Sequence, residues 1–407
     1  MIVLSGAEVV LPDRVLSPGT VVIDDGRIID IKSSSATAGS ASNFAFHGHY
    51  IVPGFIDVHV HGVDGVDTLN GRTAVGDIAS RMPRFGVTGF CPTSVACAPT
   101  ELREVLEQVR RAREAPDPLA ARVLPAHLES NFISPEYKGA QPLACLRNPR
   151  RALAEWAAKP GQAEGAGPRT FAGAEVLSEI ERGAPDIGII TVAPEIDGGI
   201  DLIDWLTTRG LRVSLGHSGA SYDDAQAAIA AGARHATHLF NRMPPLDHRK
   251  PGLVGAILQA EEVAAELICD GVHVHPALIR TAVSAKRPTR IMAITDATAG
   301  AGLPVGTHTM LGDQAITVNE SAAFLADGTL AGSVLTMDRA FEMLVTRVGF
   351  SPVEAAMMCA TTPARELGLV GHGAIVAGAV ADLVVLDPQF VVVQTYVAGR
   401  LIYSRRS

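Results

Sequence analysis

IVPGFIDVHVHG, residues 51–62, carries the signal from which the fold is read. As a strand over 51–60, its side chains alternate between faces. Asp57, His59 and His61 then share one face, and Ile56, Val58 and Val60 share the other. Pro53-Gly54 and the apolar run around them argue for burial. Two imidazoles two residues apart on an inward face can bind one metal ion, whereas the same spacing on an exposed strand would be chance.

Working outward, further short apolar strands are predicted over 87–93, 123–129, 187–192, 212–215, 235–238, 264–268 and 290–294, with helical stretches between most of them. In 101–113, Leu102, Val105, Leu106 and Val109 repeat at helical spacing behind Thr100 as N-cap; Ser221 caps an Ala-rich helix over 222–231. Strands alternating with helices in this number fit an α/β fold, a (β/α)8 TIM-like barrel. A doubly wound open sheet would want a glycine-rich phosphate turn, and no GxGxxG or Walker-type loop occurs. Residues 301–333 interrupt the pattern after the eighth strand and read as an inserted hairpin region.

Both chain ends read as β structure. VVIDDGRIIDI places Asp25-Gly26 between two apolar runs, and FVVVQTYVAGRLIY does the same with Ala398-Gly399. Residues 40–49 are small and polar, as a connection should be. The expectation is a small β-sandwich domain built from 1–50 plus 366–407, around a catalytic barrel over 51–365.

Composition narrows the functional classes. The 407 residues are 47% apolar and 19% charged, which suits a packed core, and the net charge is −9. A general nucleic-acid or anionic-membrane surface is not expected. No uncharged apolar run approaches the roughly 18 residues of a membrane span. The start carries Glu8 and Asp13 and lacks a basic segment, so no secretory signal is read. Five widely spaced cysteines without a CxxC suit a reducing cytoplasm.

Histidines and carboxylates recur where the predicted strands end, which in a barrel is the face that builds sites. His127-Leu128-Glu129 ends the third strand. Glu129 is a carboxylate able to bridge two cations, and His127 reads as a core or supporting histidine. His217 and His238 end the fifth and sixth strands. The set His59, His61, Glu129, His217 and His238 suits zinc, iron or a similar divalent ion. Asp296 ends the eighth strand and faces that set, where a carboxylate could take a proton from water. The locally basic 241–252 is either a solvated loop or an anion site through Arg242 and Arg249. His273, after the seventh strand, is a further donor.

In this order, PGFIDVHVHG, HLE, GHS, THLFN, HRKPGLVGA, ICDGVH, TDA and AGAVADLVVLD resemble the amidohydrolase superfamily and, within it, the N-acetylglucosamine-6-phosphate deacetylase family. The resemblance runs from about residue 20 to 400. It implies a divalent metal ion, one or two per subunit, on Glu129, His217 and His238, with His59 and His61 completing a second position. It implies Asp296 as catalytic acid/base, Asn241 and His273 as sugar-phosphate contacts, and Gln141 near the acetamide. It further implies a homodimer in which Arg249 reaches the phosphate in the neighbouring subunit. Ser130-Asn131 stand where the family has Gly-Pro, and Arg242 where it has alanine; all three are expected to border the substrate. The implied reaction is removal of the acetyl group from N-acetyl-D-glucosamine 6-phosphate. Two other readings stay open: an amidohydrolase acting on a galactosamine-type phosphate or another N-acyl or cyclic amide, and a catalytically silent sugar-phosphate-binding protein.

Overall fold

The stretch 51–60 is divided between two sheets. Tyr50–Pro53 pairs antiparallel with Leu383–Leu386 and parallel with Ile2–Val10, whereas Phe55–Val60 pairs parallel with Val87–Ser94. The single predicted strand is therefore two, broken at Gly54. Any Cβ on Gly54 would collide with the Thr88 side chain, so glycine is what lets these strands approach. The computed structural model describes residues 1–33, 42–158, 170–320 and 322–405.

From Phe55–Val60 and Val87–Ser94 the barrel continues through Ala126–Leu128, Ile187–Val192, Arg212–Leu215, His235–Ala236, Ala264–Ile268 and Ile291–Ile294, each parallel to the next. Helices cover the outer face, and strands such as IGIITV are buried along their whole length, as parallel strands with two covered faces must be. The ring closes at its mouth. Val60 bridges Ala297, the His61 N–H donates to the Ala297 carbonyl at 2.8 Å, and the Asp296 N–H donates to the His59 carbonyl at 2.9 Å. The hydrogen bonds that complete the barrel are thus made by the residues expected to do chemistry.

Local signals were read with small errors. The helix expected over 101–113 runs Pro99–Glu114, with Leu102, Val105, Leu106 and Val109 buried. Its N-cap is Ala98 and not Thr100: Pro99 occupies the first turn, where its missing N–H costs nothing, and Glu101 accepts from the Ala98 N–H at 2.7 Å. Ser221 caps Tyr222–Ala230 as expected.

The chain ends form one eight-stranded sheet that includes Ile2–Val10, Val15–Asp24, Arg27–Lys32 and Val392–Val397. Asp25-Gly26 and Ala398-Gly399 both take positive φ, as two-residue hairpin turns require. The two turns meet through Ala381, which donates to Gly26 O at 2.9 Å and accepts from Gly399 N at 2.8 Å. The sheet so curls around its own core of Leu4, Val21, Ile23, Leu383 and Tyr396. Within the stretch read as a connection, Ser42–Ala45 is a strand paired with Ile2–Val10; residues 40 and 41 lie outside the described residues. The interruption at 301–333 is more than a hairpin. His308–Leu311, Gln314–Val318 and Ala323–Leu325 form an antiparallel three-stranded sheet that packs on Val95 beside the barrel mouth; Ser321 lies outside the described residues. Among the described residues, no helix is long and apolar enough to cross a membrane.

Candidate active site and metal centre

At the mouth, six buried side chains from five strand ends converge. His59 and His61 bring their Nε2 atoms to 3.3 Å from each other and to 3.4 and 3.3 Å from Asp296 Oδ1. His217 and His238 bring theirs to 3.0 Å from each other and to 2.8 and 2.9 Å from Glu129 Oε1. Glu129 lies between the two groups, with Oε2 3.4 Å from His61 Nε2. His217, His238 and Asp296 have φ of 48°, 29° and 49°, a left-handed backbone that costs an L-residue about 1–2 kcal/mol. Strain of this kind persists where function requires the side chain's aim.

These donors fit a cation. Two imidazole nitrogens 3 Å apart repel unless a proton or an ion sits between them, and both pairs also face a carboxylate oxygen. The nitrogen and oxygen set matches zinc or a similar divalent ion. Burial opposes charge on Glu129, yet His217, His238 and His61 hold its carboxyl well below the usual range. Burial likewise opposes charge on Asp296, and His59 and His61 keep it below its ordinary value. His59 is pushed down to about 4 by burial. For His61, burial is outweighed by its contacts with Asp296 and Glu129, which raise it to about 10. The two carboxylates thus hold positive charge at this spot, as a proton or as a metal ion.

The supporting contacts are specific. Nδ1 of His59 lies 2.9 Å from Glu266 Oε2, and Nδ1 of His217 lies 2.9 Å from the Tyr137 carbonyl. Asp57, on the same strand face as His59 and His61, sits below the centre, where it accepts from the Thr295 hydroxyl at 2.5 Å and from the His59 N–H at 3.2 Å. Burial raises Asp57 to about 7 against those bonds. His127 is a core histidine as read, buried between the Val58 carbonyl and the Thr191 hydroxyl.

A cavity of about 430 Å³ opens onto the centre, within the range of small-molecule sites. Its lining includes His61, Glu129, His217, His238 and Asp296 of the centre, together with Gln141, Asn241, Arg242 and His273; Leu311 of the inserted sheet and Leu330 and Gly332 beyond it also line it. Gln141 donates to Glu129 Oε2 and accepts from the Ala96 N–H at 2.7 Å, so it braces the centre as well as bordering the cavity. His273 Nδ1 lies 2.6 Å from Asp270 Oδ2. Asn241 donates to the His238 carbonyl at 3.3 Å, and Arg242 reaches the Leu330 carbonyl at 3.3 Å. Arg249 is exposed and lines no part of the cavity in this chain.

Two expectations are corrected here. Ser130 and Asn131 do not border the cavity. The Ser130 hydroxyl donates to the Thr191 carbonyl at 2.6 Å, and the Asn131 amide donates to the Cys97 and Cys145 carbonyls at 2.8 Å each. Their polar groups satisfy buried backbone, a requirement that short-range sequence does not reveal. Sequence reasoning also missed Glu266, although a lone carboxylate inside the apolar run AAELI was a usable signal, and Tyr137, whose loop carried none.

Residues 199–402 match the model of the amidohydrolase family. The chain is 36% identical to N-acetylglucosamine-6-phosphate deacetylase from Rattus norvegicus, over 96% of this chain and 90% of that protein. The chain belongs to the N-acetylglucosamine-6-phosphate deacetylase family of amidohydrolases. Another relative, at 33% identity over 86% of this chain and 87% of its own, is an N-acetylgalactosamine-6-phosphate deacetylase from Escherichia coli O157:H7. Among solved structures, a variant of the Mycobacterium smegmatis N-acetyl-D-glucosamine-6-phosphate deacetylase in complex with N-acetyl-D-glucosamine-6-phosphate superposes with a TM-score of 0.85 at 29% identity, over 99% of both chains. Deacetylase-family membership and the metal-binding groups at the mouth thus agree.

Proposed function

We propose that this chain hydrolyses N-acetyl-D-glucosamine 6-phosphate to glucosamine 6-phosphate and acetate. The observation that carries the reading is the meeting of two groups of candidate cation donors, His59–His61–Asp296 and Glu129–His217–His238, at one cavity. A divalent cation, zinc or iron, one or two per subunit, would supply Lewis-acid polarisation of the amide carbonyl and a lowered water pKa when bound. His59, His61, Glu129, His217 and His238 would hold it.

Asp296 is the catalytic acid/base. Its carboxylate takes a proton from the attacking water as the new C–O bond forms at the acetyl carbon. It then returns that proton to the amide nitrogen, so the C–N bond breaks to an amine and not to an amide anion. Acetate and the free amine balance the water consumed. Asn241, His273 and Arg242 hold the sugar and its phosphate, and Gln141 lies near the acetamide. Fixing the distal end of the substrate orients the amide against Asp296. Arg249, exposed in one chain, serves the phosphate of the neighbouring site in a homodimer. A cytoplasmic setting suits five buried cysteines, none of them in a disulfide.

A galactosamine-type substrate is the second reading, favoured by Arg242 at the cavity wall and by the N-acetylgalactosamine-6-phosphate deacetylase among the relatives. The test is acetate release from N-acetylglucosamine and N-acetylgalactosamine, each with and without the 6-phosphate, on protein supplied with zinc or iron. The glucosamine 6-phosphate arm is expected to give the highest kcat/KM. A higher value for the galacto epimer would move the assignment to the second reading, and no acetate from any arm would end both.

A further inference from the structure

The seventh barrel strand, Ala264–Ile268, is buried throughout, and one of its five residues is a carboxylate. Glu266 is wholly buried. Its Oε2 lies 2.9 Å from Nδ1 of His59 and 3.4 Å from the backbone N–H of His238. Its Oε1 has no hydrogen-bond partner among the described residues; Nδ1 of His127, 3.7 Å away, is engaged by the Val58 carbonyl. A leucine would be free of the several kcal/mol that burying a carboxylate costs. The mechanism above gives Glu266 nothing to do.

We propose that Glu266 is a positioning residue that sets the tautomer of His59, and thereby decides whether the His59–His61–Asp296 group holds a cation of its own. The inference rests on reading the barrel mouth as a metal centre. A neutral imidazole has one proton. For His59 Nε2 to offer a lone pair beside His61 and Asp296, that proton must be on Nδ1, and an acceptor must hold it there. Glu266 Oε2 is that acceptor. Without it, either nitrogen can carry the proton and the ring can turn. The second group is supported differently: Nδ1 of His217 is held by the Tyr137 carbonyl, and Glu266 reaches this group only through a long contact to the His238 backbone. Loss of the Glu266 carboxylate should therefore empty one position and spare the other.

The test is a zinc titration of metal-free protein with Glu266→Leu and Glu266→Gln beside the parent, counting bound zinc per chain and fitting both constants. The parent is expected to bind two. Glu266→Leu should bind one, with the tighter constant unchanged. Glu266→Gln, whose amide oxygen can still accept from Nδ1, should bind two, with the weaker constant raised 10- to 100-fold. Three results would overturn the inference: a parent that binds one zinc, a Leu variant that keeps both constants, or a Leu variant that folds and loses both ions. If Glu266→Leu fails to fold by circular dichroism, the Gln variant decides, and an unchanged weaker constant rejects the proposal. No substrate enters the measurement. Failure of acetate release from protein carrying two zinc ions would reject the proposed reaction and leave this inference standing.

Discussion

His235 and His238 belong to one short stretch, yet they lie at opposite ends of the barrel and keep different company. At the base, His235 Nε2 is 3.4 Å from Glu366 Oε2, and Glu366 Oε1 also pairs with Arg290 and Arg365 at 3.3 and 2.6 Å. The Glu366 carboxylate there is met by two arginines and an imidazole. At the mouth, His238 Nε2 faces His217 Nε2 as well as Glu129, and His59 faces His61 beside Asp296. Donors there point at one another. Buried ionisable groups that neutralise each other hold a structure together, while groups that share an unmet need for positive charge make a binding site.

The largest effect expected from breaking this contrast is on the metal. Chelation of the divalent ion should abolish turnover and lower the melting temperature, and readdition should restore both. A ligand at 100 times its Kd stabilises by about 2.7 kcal/mol, so calorimetry with and without zinc reads the effect. Variants at the base should shift in parallel with the parent. Next, Asp296→Asn should lower kcat by about 10²–10⁴, because it removes the proton carrier. The ion held by Glu129, His217 and His238 should stay, so elemental analysis should still find at least one metal per chain, and a variant keeping a tenth of the activity would remove Asp296 from that role. Third, Arg249→Ala should raise KM about 10- to 100-fold for phosphorylated substrates, the equivalent of one charge-assisted hydrogen bond, and far less for unphosphorylated ones. Equal effects would place Arg249 away from the phosphate.

The smallest effect concerns the base. His235 and Arg365 overcome burial to hold the Glu366 carboxyl down at about 2. A carboxyl lowered in the folded state stabilises at pH values above its unfolded range, and that contribution is lost as pH falls through the folded value. Glu366→Gln should therefore cost about 1–2 kcal/mol at neutral pH, a value limited by solvent around the partly exposed arginines. The gap from the parent should close between about pH 4.5 and 2, while kcat at neutral pH should not change. Urea titrations at several pH values measure the first, and an acetate assay the second.

Much of the fold was legible because parallel barrel strands are short apolar runs that end in polar residues. The seventh and eighth were read nearly to the residue. The first was misread because nothing local distinguishes a strand that crosses from one sheet to another; the reason, the contact of Gly54 with Thr88, joins positions far apart in the chain. The candidate donors were legible for a related reason: one histidine at a strand end is weak, but several histidines and carboxylates at the ends of separate buried runs form a set that a barrel brings to one mouth. Ser130 and Asn131 were not, since a short polar side chain beside a site looks the same whether it faces the substrate or a backbone carbonyl.

Residue order alone therefore determined the strand count, the candidate ligands His59, His61, Glu129, His217 and His238, and the candidate proton carrier Asp296, because periodicity and side-chain chemistry are properties of short stretches. Tertiary structure alone decided how those donors divide into two groups around Glu129, that Glu266 stands behind His59, that Ser130 and Asn131 turn away, and that Leu311 of the inserted sheet lines the cavity. Each of these is a distance of a few ångströms between residues many positions apart, and such distances exist only once the ring has closed.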